Sequence, residues 1–182
     1  MERRINNKYL YVAFSIYLII LVWVIALKFN AEWLPEIGVY FRKLPLWDRV
    51  GYNIIPFYSM FKNGFYFNLD YFMNVVIYIP LGIYLSLIFN NKKVLNIMII
   101  FFSSLIFELI QLFTGFGGCD GTDLFCNALG GILGIGLYVI LINKISNKTI
   151  NVINIVVSII FSPLAVFAII NTIINWELYL IY

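Results

Sequence analysis

Hydrophobic positions in this chain come in long runs broken by short polar punctuation. Five of the runs match the roughly 20 residues that a helix needs to cross a hydrocarbon core about 30 Å thick. The first covers 9–29, follows the basic start MERRINNK, and carries no charge before Lys28. A cleaved leader has a shorter apolar region ending at small residues, so this run is read as a retained helix. The others fall at 71–90, 94–113, 123–142 and 150–174, joined by NNKK, a glycine-rich turn at 114–122 and NKISNKT. The stretch 30–70 is the longest without a clean span. Its Trp33, Tyr40, Trp47, Tyr52 and Tyr58 are the type that settles at membrane interfaces, which predicts a loop lying partly in the interface, with a short helix or re-entrant turn between 44 and 61. The fold class expected is all-α: a polytopic membrane helix bundle of about five transmembrane helices, forming one integral membrane domain over 1–182.

Composition strengthens this picture. The chain is 63% hydrophobic and 12% charged, against about 25% charged in soluble domains. Its net charge of +3 comes from scattered Lys and Arg, with no basic run interleaved with aromatics, so no nucleic-acid partner is expected. Histidine is absent. That excludes Ser-His-Asp and Cys-His arrangements and imidazole metal ligands within the chain. Cys119 and Cys126 have two readings, a redox pair or two small packing residues, and a sustained helix between them favours packing.

Five spans force the loops to alternate sides. With the N-terminus in the cytoplasm, Arg3, Arg4, Lys8, Lys92, Lys93, Lys144 and Lys148 lie inside, as the positive-inside rule asks. Lys28, Arg42, Lys43, Arg49 and Lys62 of the first loop break the rule, which suggests that some of them have work outside.

Polar residues inside the spans carry the candidate chemistry. An acid in a hydrocarbon span costs roughly 2.5–3.5 kcal/mol on insertion scales, so it usually faces a polar interior. Glu108 and Gln111 close the third apolar run, while Asp120, Asp123 and Asn127 open the fourth. Ser104, Glu108 and Gln111 are spaced by four and three and share a helical face. Glu108 falls about six residues, roughly 9 Å, below the end of its span. Alternation brings Asn74 of the second span, and Arg49 and Asn53 of the first loop, to the same outer side. Blander roles compete. Asp120 or Asp123 serves equally as a helix cap, and Glu108 as a protonated structural acid or, ionised, as a partner of Arg49. The glycines at 130, 131, 134 and 136 form a small-residue packing face, and Asn154, Ser158 and Ser162 predict interhelical hydrogen bonds on the fifth span.

These blocks together resemble the VanZ-like family of bacterial membrane proteins. The likeness rests on Arg49, Asn53, Pro56 and Phe57 in RVGYNIIPF, on Asn74, Pro80, Leu81 and Gly82 in NVVIYIPLG, on Glu108 and Gln111 in FELIQLF, and on Asp120, Asp123, Asn127, Gly130 and Gly134 in DGTDLFCNALGGILG. It covers about residues 45–140. Gly117 stands where the family often has an arginine, so any pairing of that arginine with the acids passes to Arg49 or is lost. The resemblance implies a multi-pass protein of the bacterial plasma membrane, with a role in the cell envelope or in tolerance of lipoglycopeptides such as teicoplanin.

The ligand-binding set expected is therefore Arg49, Asn53, Asn74, Glu108, Gln111, Asp120, Asp123 and Asn127, facing outside. Its partners would be membrane lipids and a lipoglycopeptide or lipid-linked cell-wall precursor. No cofactor, metal or catalytic residue is assigned. The alternative is a membrane hydrolase or transferase using one carboxyl as base and another as acid, or three acids around a hard cation. A transporter is the third class, for which intramembrane acids and broken helices are the expected signs; a single polar centre near one face and the lack of an inverted repeat count against it.

Overall fold

The computed structural model of the chain describes residues 7–26, 45, 54–58, 69–89, 92–114 and 119–174. Helix α1 (Asn7–Leu21) continues into a π-helical turn (Val22–Ala26), followed by α2 (Leu69–Ile88), α3 (Lys93–Thr114) and α4 (Gly121–Ile140). A 3₁₀ turn (Ile142–Lys144) leads into α5 (Asn147–Ile174). Among the described residues five helices are long and apolar enough to cross a membrane, and the chain is a multi-pass, all-α membrane protein.

Helix starts lie earlier than the apolar runs suggest, and caps explain the shift. α4 begins at Gly121 because the Asp120 side chain accepts from the Thr122 amide at 2.7 Å, satisfying a donor with no partner inside the helix. α5 begins at Asn147 because the Ser146 hydroxyl accepts from the Thr149 amide at 3.1 Å. Asp70 extends the start of α2, where a carboxylate meets the positive end of the helix dipole.

Lipid tails are as apolar as leucine, so the helices associate through close packing and hydrogen bonds. The tightest pair is α2 with α4. A Cβ at Gly130 would collide with the Val75 carbonyl, one at Gly134 with the Ile79 carbonyl, and one at Gly82 with the Gly131 carbonyl. The bare glycine face thus lets the two backbones touch. Gly131 instead leaves room for the side chain of Ile100 from α3. Around this contact Leu21, Ile25, Tyr78, Leu81, Leu85, Ile100, Phe107 and Ile135 form one buried cluster. A second cluster, Leu10, Ala13 and Tyr84, is flanked by Phe14 and Tyr17, whose rings lie 5.4 and 5.8 Å from that of Tyr84.

α5 packs along α1, with Phe167 edge-on to Trp23 at 5.8 Å. The predicted interhelical role of its polar stripe is corrected here. Ser158 donates to the Asn154 carbonyl at 2.7 Å and Ser162 to the Ile159 carbonyl at 3.3 Å, both within α5. A hydroxyl always has the carbonyl three or four residues back within reach, so it needs no neighbouring helix. Cys119 and Cys126 are free thiols, the first half-buried ahead of α4 and the second buried within it.

Candidate functional site

Helix α3 carries a polar stripe that repeats every four residues. Asn96, Ser104 and Glu108 follow that spacing, with Gln111 three residues on, and all four are at most 1% exposed. A one-sided row of this kind needs a partner surface, which α2 and α4 supply. At one end Asn96 Nδ2 donates to the Ser86 hydroxyl at 3.3 Å, and that hydroxyl donates to the Gly82 carbonyl at 2.8 Å. In the middle Asn127 Nδ2 of α4 donates to the Ser104 hydroxyl at 2.9 Å, and Tyr78 of α2 is buried beside Ser103 and Ser104.

The far end is a junction of loop and helix. Glu108 Oε2 accepts from the Asp120 amide at 2.8 Å, while Asp120 Oδ1 accepts from the Thr122 amide. Two carboxylates thus order the start of α4, one from α3 and one as its cap. Asp123 follows, half-buried in the first turn, where the helix dipole favours its charge. Gln111 reaches the other way: its Nε2 donates to the Ile25 carbonyl at 2.8 Å, tying α3 to the π-helical turn after α1. Burial, then the nearby carboxylates of Glu108 and Asp120, push the Cys119 thiol above its ordinary value. Cys119 therefore lies within the electrostatic reach of both acids.

A stretch of the first loop docks on this junction. The Phe57 amide donates to the Thr122 hydroxyl at 3.0 Å, and the Phe57 ring meets those of Tyr71 and Phe125 edge-on at 6.1 and 5.4 Å. Phe57 has φ 61°, a left-handed backbone that a bulky residue adopts only when its surroundings hold it there.

Of the sequence-predicted residues, Glu108, Gln111, Asp120 and Asn127 are therefore joined to one seam, with Asp123 at its rim. Asn74 is half-buried one turn from Tyr78 on the same face of α2. Arg49 and Asn53 lie outside the described residues. Thr122, Tyr78, Ser86 and Asn96 were not foreseen. The four-residue spacing from 96 to 108 carried the signal for Asn96, whereas Thr122 is recognisable only once Asp120 is known to be a cap.

The donor and acceptor inventory of this seam does not close. The amide nitrogens of Gln111 and Asn127 are both committed, but Gln111 Oε1 and Asn127 Oδ1 are buried without a hydrogen-bond partner among the described residues. Buried carbonyl oxygens are normally satisfied. What is left over is mostly acceptor capacity, suited to a hydroxyl, an ammonium group or another donor, with the buried Tyr78 hydroxyl, a donor and acceptor, also without a partner among the described residues. No group of three or more Cys, Asp or Glu gathers as a metal site among the described residues.

A profile of the VanZ/LLP1 family matches residues 14–142. The chain is also 31% identical over 138 residues to Protein VanZ of Enterococcus faecium, covering 75% of this chain and 74% of that protein. No solved structure matches.

Proposed function

The chain belongs to the VanZ-like family, and on that premise we propose that it is a bacterial envelope protein whose polar seam binds a donor-bearing group of a lipoglycopeptide or lipid-linked precursor, giving tolerance to teicoplanin. The observation that carries the proposal is the surplus of buried acceptors: Gln111 Oε1 and Asn127 Oδ1 remain open beside the Glu108–Asp120 junction. In this reading the N-terminus is cytoplasmic and the junction faces outside, Glu108 and Asp123 supply negative charge, and Asn74, Gln111 and Asn127 orient the ligand. Arg49 and Asn53 would add an anion contact and a further amide. The docking of Phe57, in the same sequence block, on Thr122 supports a part for the first loop.

A carboxylate-dependent hydrolase or transferase finds less support. One oxygen of each acid already serves the fold, Asp120 Oδ1 as the cap of α4 and Glu108 Oε2 on the Asp120 amide.

The test is the inhibitory concentration of teicoplanin, with vancomycin as control, in a host expressing point variants. Glu108→Ala and Asp123→Ala should each lower teicoplanin tolerance to the level of the host lacking the gene, with unchanged amounts of protein in the membrane. Full tolerance in the double variant would overturn the proposal.

A further inference from the structure

The acceptors of the seam are shut away in this structure. Asn127 is 0% exposed and its Oδ1 has no hydrogen-bond partner among the described residues, so a ligand's donor reaches it only if something lifts. The element built to lift is the turn 55–58 of the first loop. The Tyr58 amide donates to the Ile55 carbonyl at 3.2 Å, Pro56 fills the second position, and Phe57 at the third has φ 61°. Proline second and positive φ third are the marks of a type II turn, whose third position calls for glycine or asparagine. Phenylalanine there is strained, and the strain persists only while the surroundings hold it.

Those surroundings are one end of the α2–α4 pair. Gly130 lies against the Val75 carbonyl; toward the Glu108–Asp120 junction, Tyr71 comes one turn beyond Val75, and Cys126 and Thr122 come one and two turns beyond Gly130. Phe57 lies across both helices, its ring edge-on to Tyr71 and Phe125 and its amide on the Thr122 hydroxyl. On that face of α4, Thr122 is 2% and Cys126 4% exposed, whereas Ile54 and Ile55 of the turn stay exposed. The hold continues inward. The Thr122 amide is on Asp120 Oδ1 and the Asp120 amide on Glu108 Oε2, so three successive hydrogen bonds join the turn to the buried acid.

We propose that the turn 55–58 is a lid on this end of the seam and that, the seam being the binding site just proposed, it governs entry of the ligand's donor group to Asn127. The Phe57 ring seats the lid and the Phe57 backbone works against it. Lifting gives up one hydrogen bond and two ring contacts but releases the left-handed strain, which keeps the seated and lifted states close in free energy.

The experiment is the rate at which Cys126, next to Asn127 in the chain, is modified in the full-length protein in detergent by trimethylammonium-ethyl methanethiosulfonate, a charged reagent confined to water. Cys119→Ser leaves Cys126 as the sole thiol, because the chain has two cysteines. In that parent Cys126 should react slowly. Phe57→Ala, which keeps the strained backbone and loses the ring, should speed the reaction roughly tenfold. Phe57→Gly, which loses ring and strain together, should speed it less, and Thr122→Val, which removes one hydrogen bond, should speed it severalfold. Ser86 is buried at the opposite end of α2; Ser86→Cys, with both native cysteines changed to serine, should react at one rate with or without Phe57→Ala. A parent-like rate in Phe57→Ala, equal rates in Phe57→Ala and Phe57→Gly, or equal acceleration at position 86, the sign of a loosened bundle, would overturn the proposal. These rates are read without teicoplanin, so they stand whichever way the tolerance test of the seam falls.

Discussion

Helix α2 divides the molecule into two unlike halves. On one side Asn74, Tyr78 and Gly82 face α3 and α4, where backbones touch and the polar side chains of one helix reach those of the next. On the other, Met73, Val76, Pro80, Ile83 and Leu87 face α1 and α5 across an apolar cavity. Both sets repeat every three or four residues, so one helix presents two surfaces of opposite kind. Glycine closes one and proline opens the other. Polar side chains gather where packing is closest, because there a neighbouring helix is near enough to supply part of their hydrogen bonding.

Overpacking separates the halves most sharply. Gly134→Leu should push α2 and α4 apart, costing at least about 3 kcal/mol, the upper end of the overpacking range, and should appear as loss of monodisperse protein after extraction. Ile83→Phe, facing the cavity, should cost under about 1.5 kcal/mol. Equal losses would erase the contrast.

The next effect concerns the junction of α3, the loop and α4. Asp120→Ala should lower stability by about 0.5–2 kcal/mol, the worth of an N-cap, while Asp120→Asn, which keeps the acceptor, should lose only a few tenths. Thermal midpoints in detergent measure both.

The smallest effect is electrostatic. A thiol whose pKa is raised holds less thiolate at a given pH, so Cys119 should be alkylated more slowly at pH 8 than an exposed cysteine, its rate still rising above that pH. Removing a neighbouring negative charge lowers the thiol pKa again. Glu108→Gln should therefore speed alkylation of Cys119 severalfold at fixed pH, and an unchanged rate would place the Glu108 charge elsewhere.

The five spans were legible because an apolar run long enough to cross hydrocarbon is far longer than the buried stretch of an ordinary core helix. Glu108 and the residues after the glycine-rich turn were legible for the converse reason, that charge in such a run is costly. Their division of labour was not. Asp120 reads as an acid among acids until its side chain is seen on the Thr122 amide and its own amide on Glu108. Gln111 was legible as a polar residue in an apolar span, but not the tie its nitrogen makes from α3 to the π-helical turn after α1, a contact 86 residues distant in sequence. Asn154 was placed in a hydrogen-bonding stripe because spacing shows which residues share a face and not whether that face meets a partner. Caps likewise moved the helix starts by two or three residues beyond what hydropathy marks.

The glycine contact between α2 and α4 has a mechanical corollary. Where a carbonyl rests on a bare Cα there is no side chain to change rotamer, so the interface cannot yield by small increments; it either stays seated or disengages. Any breathing of the molecule is then left to interfaces built from side chains, such as the ring contact of Trp23 with Phe167 of α5. Breathing of that kind would change the width of the apolar cavity and leave the spacing of Glu108, Asp120 and Asn127 as it is.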